Sequence, residues 1–189
     1  MIFQMTRIFT DGGAGSRAAE VLDANIRVRS LEAGEFLIRQ GECAPNAYLL
    51  TEGLVKMFYI TADGKEFVKS FIAEGQFTGS LSSQVDGGES TFSVVCLEPV
   101  TVESVAFSHV KALIDVDPQV MRFFYAFFLA LALKKERREY DFLCLSPEKR
   151  YRQFEQDNPQ LAQRVTQADI ARYLGITPVA LSRIRGRAK

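Results

Sequence analysis

The 189-residue sequence predicts an α+β chain in three parts: an N-terminal β jelly roll, one long helix and a C-terminal helical unit built on a helix-turn-helix. Three observations carry that prediction. Short segments rich in Val, Ile, Phe, Tyr and Thr recur from Asn25 to Phe107 with turn residues between them. A single helical pattern follows from Pro118 to about Cys144. Two short helical patterns then flank Gly175, between Thr166 and Arg185.

In chain order, Asp11-Gly-Gly-Ala-Gly-Ser16 reads as a loop. Met1 to Thr10 holds no apolar core long enough for a signal peptide, so a cytoplasmic location is expected. The predicted strands are Ile26–Leu31, Glu35–Arg39, Ala47–Leu50, Leu54–Ile60, Glu66–Ile72, Thr91–Leu97 and Val100–Phe107. Turns at Ala33-Gly34, Gln40-Gly41, Glu52-Gly53 and Ala62-Asp63-Gly64 separate them, and Asp63-Gly64 marks a hairpin. Many short strands at this spacing indicate a jelly roll. Ser108 is expected to cap a short helix through Ile114, and Asp117 with Pro118 opens the long one.

The first half of that helix is apolar nearly all round (Phe123, Phe124, Phe127, Phe128, Leu131), so it should be buried on more than one side. One side can lie on the roll and the other on a second copy; burial within a single monomer is the alternative. Its second half, Lys134 to Arg138, is charged and should emerge into solvent. Ser146-Pro147 starts another helix that stops at Asn158-Pro159. The expected divisions are residues 1–117 for the roll, 118–144 for the helix and 145–189 for the reader.

Composition is globular, with 47% hydrophobic and 24% charged residues and zero net charge. The balance is uneven along the chain. From Lys134 onward thirteen Lys/Arg face seven Asp/Glu, a net +6, against −6 for the rest. A basic tail on an acidic front points to a nucleic-acid end. Cys43, Cys96 and Cys144 are odd in number and far apart, which fits free or buried thiols better than a disulfide framework. His109 has no ligand companion, so no metal or other cofactor is expected, and a His-rich jelly-roll enzyme is excluded. The most apolar stretch, Val120 to Leu133, is broken only by Arg122 and at fourteen residues is too short to span a bilayer; no membrane role is expected.

The strongest signal lies between Val165 and Arg185. Thr166 with Asp169 resembles a capping box, and Ile170, Ala171 and Leu174 fall on one face. Gly175 permits the turn, Ile176 plugs it, Thr177 caps the next helix and Pro178 is its first residue. Leu181 and Ile184 then face inward, leaving Val179, Ala180, Ser182, Arg183 and Arg185 outward. This is the pattern of a DNA reader whose second helix enters the major groove, with a purely structural hairpin as the alternative. Thr177 and the helix amides would grip a phosphate, Arg183 would read guanine, and Arg172, Arg185, Arg187 and Lys189 would neutralise phosphates, Thr166 lying alongside.

The layout over about residues 25–185 resembles the cyclic-AMP receptor protein/Fnr family of bacterial transcription regulators. The likeness rests on Gly34-Glu35, Arg39-x-Gly41-Glu42, Tyr48, Gly53-Leu54-Val55-Lys56, Gly75-Gln-Phe-Thr-Gly79, Ile170-Ala-Arg-Tyr-Leu-Gly-Ile-Thr and Leu181-Ser-Arg-Ile184. It implies a non-enzymatic regulator: a homodimer joined along the Pro118–Cys144 helix, reading a palindromic double-stranded DNA site, with RNA polymerase as a further contact. It also implies a small-molecule effector site in a cyclic-nucleotide-binding-like roll, at Phe77, Gly79, Ser80, Leu81, Gly87, Gly88, Ser90 and Thr91. Three departures follow. Where nucleotide-binding members carry Glu and Arg-Ser, this chain has Ser80 and Ser90-Thr91, and no Lys or Arg occurs between Lys69 and Lys111, which points away from cyclic AMP. The cysteine clusters and haem ligands of other branches are missing. No strand pair follows the second reader helix, so no clear wing is expected. The competing reading is a regulatory or protein-interaction module of the same fold that binds no specific DNA.

Overall fold

The structure, a computed structural model, describes residues 3–187. Two helices that sequence did not predict come first, α1 (Gln4–Asp11) and α2 (Ser16–Asn25). Asp11 and Ser16, expected in a loop, therefore belong to helix ends, and the loop shrinks to the residues between them. Met5 and Phe9 of α1, one turn apart, are buried, as are Ala18 and Leu22 of α2. The carboxylate of Glu103, far along the chain, accepts from the Gln4 and Met5 amides at 2.8 and 2.6 Å. A tertiary contact thus supplies the cap that the local sequence lacks.

The roll contains β1 (Arg27–Leu31), β2 (Phe36–Ile38), β3 (Asn46–Glu52), β4 (Val55–Ile60), β5 (Glu66–Ile72), β6 (Phe77–Thr78), β7 (Ser93–Cys96) and β8 (Val100–Ala106). They form two antiparallel four-stranded sheets in the orders β1-β8-β3-β6 and β2-β7-β4-β5. Their inner faces enclose a core that includes Leu31, Tyr48, Leu50, Val55, Val94 and Val102. Each predicted strand is present within a residue or two, while the two-residue β6 and the short α3 (Leu81–Val85) were not foreseen. The β4–β5 hairpin closes at Thr61–Lys65, with Gly64 at φ +79°.

The chain then turns helical with α4 (Phe107–Val116), α5 (Pro118–Cys144), α6 (Pro147–Asp157), α7 (Leu161–Arg164), α8 (Gln167–Leu174) and α9 (Pro178–Arg187). Ser108 is not a cap: α4 begins at Phe107, behind Ala106, and no side chain caps it. Asp117 does cap α5, accepting from the Gln119 and Val120 amides at 2.8 and 3.3 Å. It also accepts from the Gly15 amide at 3.1 Å, which ties the α1–α2 corner to the α4–α5 corner. α4 and α5 meet at a bend of 117°, and no single helix among the described residues is long and apolar enough to cross a membrane.

The apolar stripe of α5 turns its aromatic rings toward the roll. Phe9 lies 4.7 Å from Phe123 and 5.7 Å from Phe124, and Phe77 lies 6.0 Å from Phe127, ring centre to ring centre. Phe123, Phe124, Phe127, Phe128 and Leu131, expected at a dimer interface, are all half-buried and line the cavity beside the roll. In the first half of the helix the exposed large apolar residues are Met121, Tyr125, Leu129 and Leu133, at steps of four, and Tyr140, Phe142 and Leu143 are exposed near its end.

Candidate nucleic-acid interface and sensor cavity

The C-terminal helices share a core with the outer surface of the β4–β5 sheet. Leu54, Val68 and Phe71 pack with Tyr151, Phe154, Val165, Ile170, Ala171, Leu174, Leu181 and Ile184. Ion pairs frame that core. Lys56 Nζ, nearly buried on β4, lies 2.7 Å from Glu66 and 2.9 Å from Asp169 of α8. Arg164 pairs with Glu74 at 2.7 Å and with Glu98, both on turns of the roll. The Arg164 guanidinium holds the Glu74 carboxyl below the usual carboxylate range, against a smaller opposing effect of burial.

Asp169 departs from the expected capping box. Its amide donates to the Thr166 hydroxyl oxygen at 3.1 Å, and that hydroxyl lies 2.7 Å from its own carboxylate. The other carboxylate oxygen goes to Lys56 and to Arg172, the latter at 3.2 Å. Burial alone would raise the Asp169 pKa, but the hydroxyl and the two cations outweigh it and hold the carboxyl low.

The turn between α8 and α9 is built as its residues predicted. Gly175 adopts φ +68°; the Ile176 amide bonds Ala171 O at 3.0 Å and the Gly175 amide bonds Arg172 O at 3.4 Å. This pairing is a Schellman closure, which needs the left-handed residue. A Cβ at Gly175 would also sit 2.7 Å from a ring carbon of Phe142, so α5 crowds the turn from outside. The Thr177 hydroxyl accepts from the Ala180 amide at 3.1 Å, capping α9. Leu181 and Ile184 are buried, whereas Thr177, Val179, Ser182, Arg183, Arg185 and Arg187 are exposed and Ala180 is half-buried.

The other predicted contacts are less uniform. Thr166 is exposed at the start of α8, but its hydroxyl is engaged by Asp169. Arg172 is exposed yet committed to Asp169, with Glu66 at 3.9 Å. Arg185 lies beside the Tyr151 hydroxyl and Arg187 near Glu148, so both lean toward α6. Lys189 lies outside the described residues.

A cavity of about 510 Å³ lies between the roll, α1 and α5 and extends to α6 and α8, within the range typical of small-molecule sites. Of the predicted ligand contacts, Phe77, Gly79, Leu81 and Thr91 line it, joined by Ser82 and Gln84, which sequence reading missed. Ser80, Gly87, Gly88 and Ser90 do not. Ser90 is buried with its hydroxyl donated to Phe92 O at 2.8 Å, and buried Ser80 bonds Ser82 at 3.0 Å. Tyr48 sits in the roll core; Glu35 accepts from the Glu32 amide and Glu103 caps α1, as structural roles require.

No Lys or Arg occurs between Lys69 and Lys111, but cations from elsewhere line the cavity wall: Lys69 from β5 and Lys134, Lys135 and Arg138 from α5. Lys134, Lys135, Glu136 and Arg137 are exposed, as expected of the charged second half of α5, while Arg138 is half-buried. Arg138 donates to Val68 O at 3.1 Å and Tyr173 O at 3.0 Å, and its guanidinium stacks 4.0 Å over the Tyr173 ring. Spacing in sequence hid this convergence, because β5 and α5 lie far apart along the chain. Among the described residues no group of three or more His, Cys, Asp or Glu is placed to hold a metal ion, and Cys43, Cys96 and Cys144 are all free thiols.

Residues 28–117 match the cyclic nucleotide-binding domain family. Over 85 residues the chain is 29% identical to the cAMP-activated global transcriptional regulator CRP of Salmonella typhimurium, covering 45% of this chain and 40% of that protein. Over 96 residues it is 31% identical to the transcriptional activator protein anr of Pseudomonas aeruginosa, covering 51% and 38%. In sequence the likeness to these regulators covers about half of the chain. These matches span less than half the length of either curated relative. The fold agrees over more of the chain. It is similar to the c-di-GMP responsive global regulator CLP of Xanthomonas campestris, with TM-score 0.74, 17% identity and 92% and 91% of the two chains covered. It is also similar to FixK2 of Bradyrhizobium japonicum, with TM-score 0.76, 20% identity and coverage of 86% and 83%. The two curated relatives are named as transcription regulators, not enzymes.

Proposed function

We propose that the chain is a homodimeric regulator of transcription that reads double-stranded DNA with α9, under control of an effector bound in the roll. The observation that carries this is the exposed face of α9. Thr177, Val179, Ser182 and Arg183 are open to solvent on a helix whose inner residues, Leu181 and Ile184, are locked into a shared core. Arg183 is the base reader in this account, able to meet guanine N7 and O6 together, and the capped start of α9 with Thr177 contacts a phosphate. One such helix gives little specificity, so two readers one helical turn of DNA apart are required.

The exposed stripe Met121–Tyr125–Leu129–Leu133 is the surface proposed to join the two copies. A ligand in the cavity touches both the roll and α5, so differential binding there would shift the helix and reset the distance between readers. Ser90 and Ser80, turned inward, offer little to a cyclic phosphate, and the effector is proposed to be other than cyclic AMP.

The test is retardation of mixed genomic DNA by the purified chain at two salt concentrations. Phosphate contacts predict that affinity falls steeply with salt, by about a decade or more between low and physiological ionic strength. A flat response with no retardation would reject the DNA reading in favour of a protein-interaction module.

A further inference from the structure

The stripe of α5 that faces the roll changes character along its length. Phe123, Phe127 and Leu131 give about 12 Å of apolar wall. One turn on, the same stripe carries Lys134, Lys135 and Arg138. Arg138 is fixed by its hydrogen bond to Val68 O, which brings this turn against β5 beside Lys69. Lys69 is half-buried, with Nζ 3.6 Å above the Phe92 ring. A second cavity of about 360 Å³ shares Lys69, Lys135 and Arg138 and reaches Gly175 and Arg172 of the reader.

Among the described residues, Lys69, Lys134 and Lys135 take part in no salt bridge. The acids on the first cavity's wall are Asp141 and Asp157, the latter facing Arg137 at 3.8 Å, and Glu139 lines the second. Lys134 and Lys135 are exposed and Lys69 is half-buried, so water solvates part of this charge, and an anion among them would relieve their mutual repulsion. Desolvation, with the neighbouring Lys135 ammonium, pushes Lys69 down to about 8. Desolvation and Arg138 also lower Lys134 and Lys135.

We infer that this cavity binds a small amphipathic organic anion, an acyl or aryl carboxylate, with its apolar body on the Phe123–Leu131 wall and its charge among Lys69, Lys134 and Lys135. The site rests on the reading above that the roll holds an effector, and it names the effector's class. Its cations come from β5 and α5 rather than from the loop after β6, so the loss of arginine there does not empty the site of positive charge. A bound anion would touch the roll and the long helix together, at the turn from which Arg138 reaches Tyr173 of α8.

Calorimetric titration of the full chain, without DNA, tests this with decanoate, decanol and decylamine. Decanoate should bind about one per chain, at least about tenfold more tightly than either of the others. Lys69→Gln/Lys135→Gln should weaken decanoate by at least about tenfold, while Lys65→Gln/Lys111→Gln, on the exposed surface, should leave it unchanged. An unshifted melting temperature in each pair shows that the fold is kept. Equal binding of all three probes, no binding of decanoate, or undiminished binding by the Lys69/Lys135 pair would overturn the inference. A chain that binds decanoate but no DNA would uphold this site and reject the reader.

Discussion

Arg183→Ala should weaken binding to a preferred DNA site by about 1–3 kcal/mol, roughly fivefold to 150-fold, and flatten the preference at one base pair of each half-site. The reason lies in what Arg183 does and does not touch. It is exposed on α9, one residue before buried Ile184, and makes no ion pair among the described residues. Its removal should therefore leave the melting temperature where it was. Arg172→Ala should behave differently. That side chain already serves Asp169 and Glu66, so its loss should cost stability as well as any phosphate contact. Fluorescence anisotropy on a labelled duplex, beside thermal melts of both variants, separates the two. Equal losses of affinity on every sequence would make Arg183 a phosphate contact rather than a base reader.

Lys56→Ala should be the more damaging to the fold. Lys56 is the ammonium between Glu66 and Asp169, and its side chain is only 10% exposed. Removing it leaves two carboxylates facing each other with Arg172 as their remaining cation. Breaking a buried pair costs about 3–5 kcal/mol, and the lower end applies because Arg172 stays. For a chain of this size about 3 kcal/mol lowers the melting temperature by roughly 6–12 °C. The effect should fade in acid. The Asp169 carboxyl is held below its ordinary value, so its contribution is present above about pH 4 and is lost as pH falls through the lowered pKa. Wild type and variant should therefore melt progressively closer together below pH 4. A difference that persists unchanged at pH 2 would mean that packing of the lysine stem, not its charge, holds α8 to β4.

How much of this was legible in the sequence differs by element. Turns and caps were readable wherever one residue dictates the backbone. Asp63-Gly64 gave the hairpin, Asp117-Pro118 the start of α5, and Gly175 with Thr177-Pro178 the reader turn. Elements held by distant partners were not. α1 is capped by Glu103 from β8, and β6 is two residues whose pairing with Tyr48 and Leu49 makes it a strand. Ser108 failed as a cap because α4 starts one residue earlier, packed into the core at Phe107.

The sites divide along the same line. The reader's outward residues follow from helical periodicity within one short segment, and the structure exposes them accordingly. Which stripe of α5 docks on the roll does not follow, because apolar residues surround the first half of that helix. The cationic wall was illegible for a similar reason. Lys69 belongs to a strand and Arg138 to a helix turn, and they meet only in the fold, where Arg138 donates to Val68 O beside Lys69. A charged run inside an otherwise continuous apolar stripe was the one available hint.

Selection of bound sequences from a random double-stranded DNA pool, using the purified full chain, tests the central claim most directly. The account predicts an inverted repeat whose half-sites lie about one helical turn apart, roughly 10 base pairs centre to centre, each with a guanine whose enrichment disappears with Arg183→Ala. Recovery of no consensus, or of an ungapped single half-site insensitive to Arg183, would contradict it.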